Sequence, residues 1–402
     1  MSWTVKPLAA VADLQLGKML DERKNRGELL PYLANVNVRW GEFDFDELRE
    51  MRFEQNELER FGLKAGDIVM CEGGEPGRCA LWKDQVPGMM IQKALHRIRV
   101  GECSDSRFLY YTFLQLGRSG GFSPLFTGAT IKHLPREKLA KLGVALPPLR
   151  DQQHIASILS AYDDLIENNR RRMVLLEDAA RLLYQEWFVR LRFPGREHTR
   201  IVDGVPEGWR RRDLGALATF LSGGTPSKAR ADFWEGEIPW VSSGELTALR
   251  IDDASLHVTE EAVEAGSRLV PPRTILGVVR GMSLAKEFRL AMTSRTVCFN
   301  QDLKAIVAGP DIDADYLFHA LVAQRDTIRD RAGEASHGTK KLDTPVLAST
   351  PILVPRPPVQ RAFTEIVDPM NRLWDNLNRQ NRQLRAARDL LLPRLMRGEL
   401  LP

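Results

Sequence analysis

Cysteine is scarce: Cys71, Cys79, Cys103 and Cys298 are the only four in 402 residues, with no CxxC pair and no histidine at zinc-finger spacing. That spacing argues against a metal site and a disulfide framework, and the four read as reduced thiols in a cytosol. Long apolar runs are missing as well, since nothing approaches the roughly 18 residues of a membrane span. Asp13 also breaks the opening stretch where a signal peptide would need apolar continuity. The expectation is a cytoplasmic protein with no membrane partner. Charge of one sign is nearly balanced, 57 Lys and Arg against 53 Asp and Glu, leaving +4. None of the GxxxxGK[ST], GxGxxG or HExxH templates occurs, and the seven histidines are scattered, so neither a catalytic nor a metal site is expected. What remains is an ordinary globular composition, 43% hydrophobic and 27% charged, long enough for two or three domains.

The chain says nearly the same thing twice. LPPLRDQQHIASILSAYDDLIENNRRRMVLLEDAARLLYQEWF from Leu146 is matched by VPRPPVQRAFTEIVDPMNRLWDNLNRQNRQLRAARDLLLPRLM from Val354, each a double proline leading into a long helix-period segment. Upstream the match is weaker. Pro31-Tyr32 parallels Pro239-Trp240, and the stretch from Gly66 to Val69 parallels that from Arg273 to Leu276. Gln92, Thr130 and Lys132 precede Gln301, Thr339 and Lys341 by 209 positions. The reading is a tandem duplication of α+β class: a mixed module over 1–150, a helix over 151–192, a linker over 193–207, a second module over 208–356 and a second helix over 357–402.

Steps of four and three along the first helix stay almost wholly apolar, from Ile155 through Leu159, Tyr162 and Ile166 to Leu183 and Trp187, with Asn169 the one polar intruder. The second seam runs from Phe363 to Leu395 with Asn381 near its middle, and Pro369 inside it predicts a kink or a late start. Antiparallel packing with seam positions summing to 550 sets Ile155 against Leu395, Trp187 against Phe363 and Asn169 against Asn381. A buried amide pair would fix register, although both amides facing solvent on bent helices fits the pattern too. Arg388, also on the seam, would have to snorkel beside Tyr162. A seam of this length measures about 50 Å at 1.5 Å per residue, and it would hold the modules at opposite ends in a pseudo-twofold repeat. Duplex DNA has matching symmetry, its major groove returning about every 34 Å. Two protein partners bridged by a scaffold would suit the same geometry.

The duplicated layout, the double prolines Pro147-Pro148 and Pro357-Pro358, the DQQHIASILSAYDDLIE segment from Asp151, GKMLDERKNRGELLPYL from Gly17 and the stretch from Thr225 to Trp240 resemble the specificity subunit of type I restriction-modification systems. The resemblance covers essentially the whole chain. It implies two target-recognition domains separated by an antiparallel two-helix coiled coil, each reading one half of a split double-stranded DNA target. It implies a non-catalytic subunit that binds no cofactor itself, positions two modification subunits using S-adenosylmethionine to methylate adenine, and recruits restriction subunits.

With +4 overall, DNA contact must come from local clusters. In the first module Lys18, Arg23, Lys24 and Arg26 surround an expected loop, with Asn25 able to read a base edge. Lys228 and Arg230 hold the corresponding place after Gly223-Gly224 in the second. Arg78, after a Gly-rich turn that also carries Glu72 and Glu75, and Arg280 with Lys286 are further candidates, and Lys132, Lys340 and Lys341 are expected phosphate clamps. Solvated charged loops would show the same residues. A scaffold that touches no nucleic acid would be indifferent to replacement of Arg23, Lys24, Arg26, Lys228 and Arg230 by Ala, and an enzyme would need a convergent acid-base or nucleophile cluster that the sequence does not show. Replacing both Asn169 and Asn381 by Leu is expected to raise the melting temperature while loosening register, and replacing either alone to cost more; a thermal double-mutant cycle with independent effects would dismiss the facing pair.

Overall fold

The computed structural model describes residues 3–21, 25–334 and 339–400. The chain divides into two compact units, Met1–Glu167 with Asn381–Pro402, and Asn168–Gln380. Both are α+β.

In the first unit an antiparallel sheet runs in the order Ala12–Leu16, Leu95–Val100, Ile68–Cys71, Cys79–Leu81. A second sheet sets Glu28–Leu33 between Arg49–Phe53 and Met90–Ile91, the latter pairing parallel. Ile68–Cys71 is buried along its whole length because it is covered on both faces: Ile68 and Met70 enter one core with Phe108 and Phe113, while Val69 and Cys71 enter another with Trp82 and Phe53. Ser106–Arg118 is a helix because Asp105 caps it, its carboxylate accepting from the Arg107 and Phe108 amides.

The second unit repeats this plan. Its first sheet has the order Ala218–Ser222, Leu303–Ala308, Ile275–Val278, Leu290–Thr293, Arg250–Ile251. Its second has Leu256–Val258, Ile238–Val241, Val297–Phe299, Leu269–Val270, again with one parallel pair, Trp240 opposite Cys298 as Tyr32 is opposite Met90. Asp313 caps the helix Ala314–Ala323 as Asp105 caps its counterpart. Gly66 and Arg273, matched by sequence, both have a left-handed backbone, with φ of 93° and 65°.

The first long helix spans Leu149–Tyr184 and continues as a π turn over Gln185–Val189. The second spans Pro357–Met396 with no late start or break at Pro369. Residues 193–207, expected as a linker, are structured: Phe193 is buried at 4.6 Å from the Trp209 ring, and Ile201–Val202 pairs with Val205–Pro206 across Asp203-Gly204, both at positive φ. An Asp-Gly pair between short apolar runs is a hairpin signal that linker composition masked.

Within each unit the helices pack as the seam requires. Ile155, Leu159, Leu392 and Leu395 share the first unit's core, and in the second Trp187 meets Phe363 edge-on at 6.2 Å. Asn169 and Asn381 are 6% and 1% exposed, which removes the solvent-facing alternative. Arg388 does not snorkel. Its guanidinium pairs with Asp163, which also accepts from the Tyr111 hydroxyl at 2.7 Å, and with Asp389 at 2.8 Å. Burial works against its charge, and the Asp163 carboxylate overrides that to hold it protonated.

The helix entries explain the double-proline motif. Pro357 and Pro358 open the second long helix, whose first amides lack carbonyl partners anyway, and Pro147 and Pro148 lie just before the first, which begins at Leu149. Gln152 then turns its amide inward, donating to the Pro147 carbonyl at 2.9 Å and accepting from Ser104 Oγ at 2.8 Å and the Asp105 amide at 3.0 Å. Gln360 does the same 208 positions later, donating to the Pro355 carbonyl at 2.9 Å and accepting from the Asp313 amide at 3.1 Å. Each clamp ties a long helix to the cap of its module helix. Gln152→Met, close in shape but without the amide, is expected to lower stability by about 2–4 kcal/mol in urea denaturation, because it orphans buried partners.

Candidate nucleic-acid interface

Three separated stretches of the first module meet at the turn over residues 92–94. The Lys18 amide donates to the Ile91 carbonyl at 3.0 Å, and the Lys93 amide returns a bond to the Lys18 carbonyl at 2.8 Å. On the other side the Glu72 amide donates to the Ala94 carbonyl and the Leu134 amide to the Glu72 carbonyl, both at 2.8 Å. Gly17 permits the first approach, since a Cβ there would sit 2.3 Å from the Gln92 carbonyl oxygen. The described residues of the loop after Gly17, the Gly-rich turn after Glu72 and the Lys132-His133 segment therefore form one rim.

The second module builds the same rim around residues 300–302. The Gly224 amide donates to the Phe299 carbonyl, the Val279 amide to the Asp302 carbonyl and the Leu342 amide to the Val279 carbonyl, each at 2.9 Å. Thr225 Oγ1 lies 2.7 Å from Gln301 Oε1. Arg280–Gly281 pairs with Lys340–Lys341, as Gly73 bridges to His133. These bonds correct the sequence matching by one position: Gln92 corresponds to Asn300, Lys93 to Gln301, Lys132 to Lys340 and His133 to Lys341.

Several candidate cations are spent inside the fold. Lys18 is buried, because the bridge to Gln92 turns its side chain inward; Nζ lies 2.5 Å from Glu57 Oε2 and 2.9 Å from the Arg52 carbonyl, over the Phe53 ring. Burial opposes ionisation of Glu57, yet the Lys18 ammonium and the Glu54 amide hold its carboxyl below the ordinary value. Lys18 is thus an internal strut rather than a phosphate ligand. Arg78 likewise braces its own turn, bonding Glu75 at 2.9 Å and the Asn35 carbonyl at 2.7 Å. Arg230 is neutralised by Asp232 at 2.5 Å and Glu261 at 3.4 Å while lying over Phe233.

Others remain on the surface. Arg26, Lys132, Lys228 and Arg280 are exposed and make no ion pair among the described residues. Lys286 is exposed on the turn after Gly281, its carbonyl accepting from Arg329. Lys340 and Lys341 are half-buried beside Glu334 at 3.8 Å and Asp343 at 2.5 Å. Asn25 accepts from the Arg52 amide at 2.7 Å through Oδ1, which leaves its NH2 group for other partners. Arg23 and Lys24 lie outside the described residues.

Sequence reading missed two cations. Lys93, on the central turn, and Arg268, two residues beyond the Gly266 carbonyl that abuts Gly224, are both exposed with no ion pair among the described residues. Isolated cations carry no cluster signal, although Lys93 follows Gln92, already matched between the modules. Among the described residues no acidic, histidine or cysteine group is arranged to hold a metal, and no helix is long and apolar enough to cross a membrane.

Comparison with known proteins identifies the family. The model of the type I restriction modification DNA specificity domain matches residues 2–177 and 206–386. The EcoR124I/EcoR124II specificity subunit of Escherichia coli is 30% identical over 190 residues, 45% of this chain and 47% of that protein, so the match spans about half the relative's length. The MjaIX specificity subunit of Methanocaldococcus jannaschii is 27% identical over 413 residues, covering 99% of this chain and 93% of that protein. The type I system S subunit from M. genitalium shares the fold, with a TM-score of 0.59 at 18% identity over 98% of this chain and 96% of that one. With its signature matched in both modules, the chain belongs to the type I restriction-modification DNA specificity family.

Proposed function

We propose that the chain reads a two-part DNA sequence, each half by one module, and presents that site to modification subunits that methylate adenine with S-adenosylmethionine and to restriction subunits that cleave. The chemistry belongs to those partners, the chain itself binds no cofactor, and the setting is the cytoplasm. The observation that carries this reading is the rim built twice from the same backbone bonds, each time leaving exposed cations: Arg26, Lys93 and Lys132 on one, Lys228, Arg268 and Arg280 on the other. Cations on a rim serve either as phosphate contacts, which fix register, or as base-edge contacts, which supply sequence.

Two equivalent modification subunits are supported by the helices. Leu165 and Leu390 are exposed in the first unit, and their counterparts 208 positions away, Leu373 and Leu182, are exposed in the second. Each unit thus offers the same apolar pair, as two copies of one partner would need.

Exchanging residues 1–150 for the equivalent module of a relative is expected to change one half of the methylated sequence and leave the other, as read by sequencing of methylated sites. A scaffold without DNA contact would leave the methylated sites unaltered. Neutralising about 6–10 phosphates should make affinity fall roughly a thousand- to a hundred-thousand-fold between about 50 and 200 mM salt. Replacing Lys93, Lys132 and Lys228 by Ala should flatten that slope by about 0.9 for each contact removed, and an unaltered slope would take them off the DNA.

A further inference from the structure

The two rims share a backbone but present opposite hydrogen-bonding chemistry at one place. In the first module the ladder holds Glu72, Gly73 and His133; the positions that make the same backbone bonds in the second are Val279, Arg280 and Lys341. His133 Nδ1 lies 3.2 Å from both carboxylate oxygens of Glu72. Gly73 leaves room for that pair, since a Cβ there would press on the imidazole at 3.2 Å. Arg280 stands at the equivalent position of the ladder instead and is exposed, with no ion pair among the described residues.

A carboxylate only accepts hydrogen bonds, and the neutral imidazole tautomer whose Nδ1–H donates to that carboxylate keeps Nε2 as an acceptor as well. The Glu72–His133 pair therefore offers acceptors, whereas Arg280 and Lys341 offer donors. Lys341 is already engaged by Asp343 at 2.5 Å, which leaves Arg280 as the available donor. A carboxylate also repels phosphate, so on a DNA-facing rim its favourable partner is a base edge. In the major groove the amino donors are cytosine N4 and adenine N6, and the acceptor pair that suits a guanidinium is guanine O6 with N7.

Resting on the DNA-recognition reading above, we infer that the Glu72–His133 pair selects a base carrying an exocyclic amine, cytosine or adenine, in the half-site of the first module, and that Arg280 selects guanine at the equivalent place in the other half-site.

The test is selection from a randomised duplex library by the full chain assembled with its modification subunits, comparing wild type with Glu72→Gln, His133→Gln and Arg280→Gln. The wild-type site should carry cytosine or adenine at one position of one half and guanine at the related position of the other. Glu72→Gln, whose amide both donates and accepts, should lose roughly 5- to 150-fold of its discrimination at that single position and keep the rest of the site. His133→Gln should weaken the same position, and Arg280→Gln should relax only the guanine. Selected sites unchanged in all three variants would overturn the inference. So would an equal loss for every sequence with a shallower salt slope, the mark of a phosphate contact, or a total loss of selection by variants that melt as the wild type does. A wild-type assembly that selects no sequence would instead remove the DNA-recognition reading itself.

Discussion

Everything the modules present depends on two buried glutamines. Gln152 and Gln360 each satisfy a carbonyl before their own helix and the cap of a helix within the module, so helix and module are joined by hydrogen bonds that water cannot replace. An apolar joint would slide, because hydrophobic contact is non-directional. An amide with fixed donors and acceptors sets one orientation, and further polar bonds extend it: Lys83 reaches Asp164 and Glu167 in the first unit, and Arg250 reaches Asp375 in the second. The module is thereby indexed to its helix rather than merely attached.

The rim inherits this precision through backbone rather than side chains. The central turn, the glycine pressed against it and the short ladder beside it are defined by amide and carbonyl groups that every residue type possesses. Side chains around them are free to differ, and they do. Lys18 has gone inward to Glu57, while Gly224 occupies its place in the second module. A scaffold held by main chain with variable decoration suits a protein whose sequence preference must change without loss of fold.

Much of this was legible beforehand. The repeat, the helix seams and the facing of Trp187 and Phe363 followed from periodicity, because apolar spacing and helical geometry share one cause. Individual site residues were less legible. A lysine in a basic loop and a lysine folded under it look alike in sequence, and only the bridge from Lys18 to Gln92 separates them. Arg78 and Arg230 met carboxylates that lie within a few residues, visible in the sequence but not decisive there. The offset of 209 between modules failed by one position because identical letters were matched, whereas the fold aligns hydrogen bonds.

Arg273 keeps in the second module a bend that a glycine makes in the first. A left-handed backbone costs an ordinary residue about 1–2 kcal/mol, and its counterpart in the first module is a glycine, which avoids that cost. The arginine is held by Asp315 at 2.8 Å and Asp313 at 3.0 Å, so charge pairing offsets the strain of the bend. One course of the main chain is thus secured by two unlike means, conformational freedom in one half and electrostatic anchoring in the other.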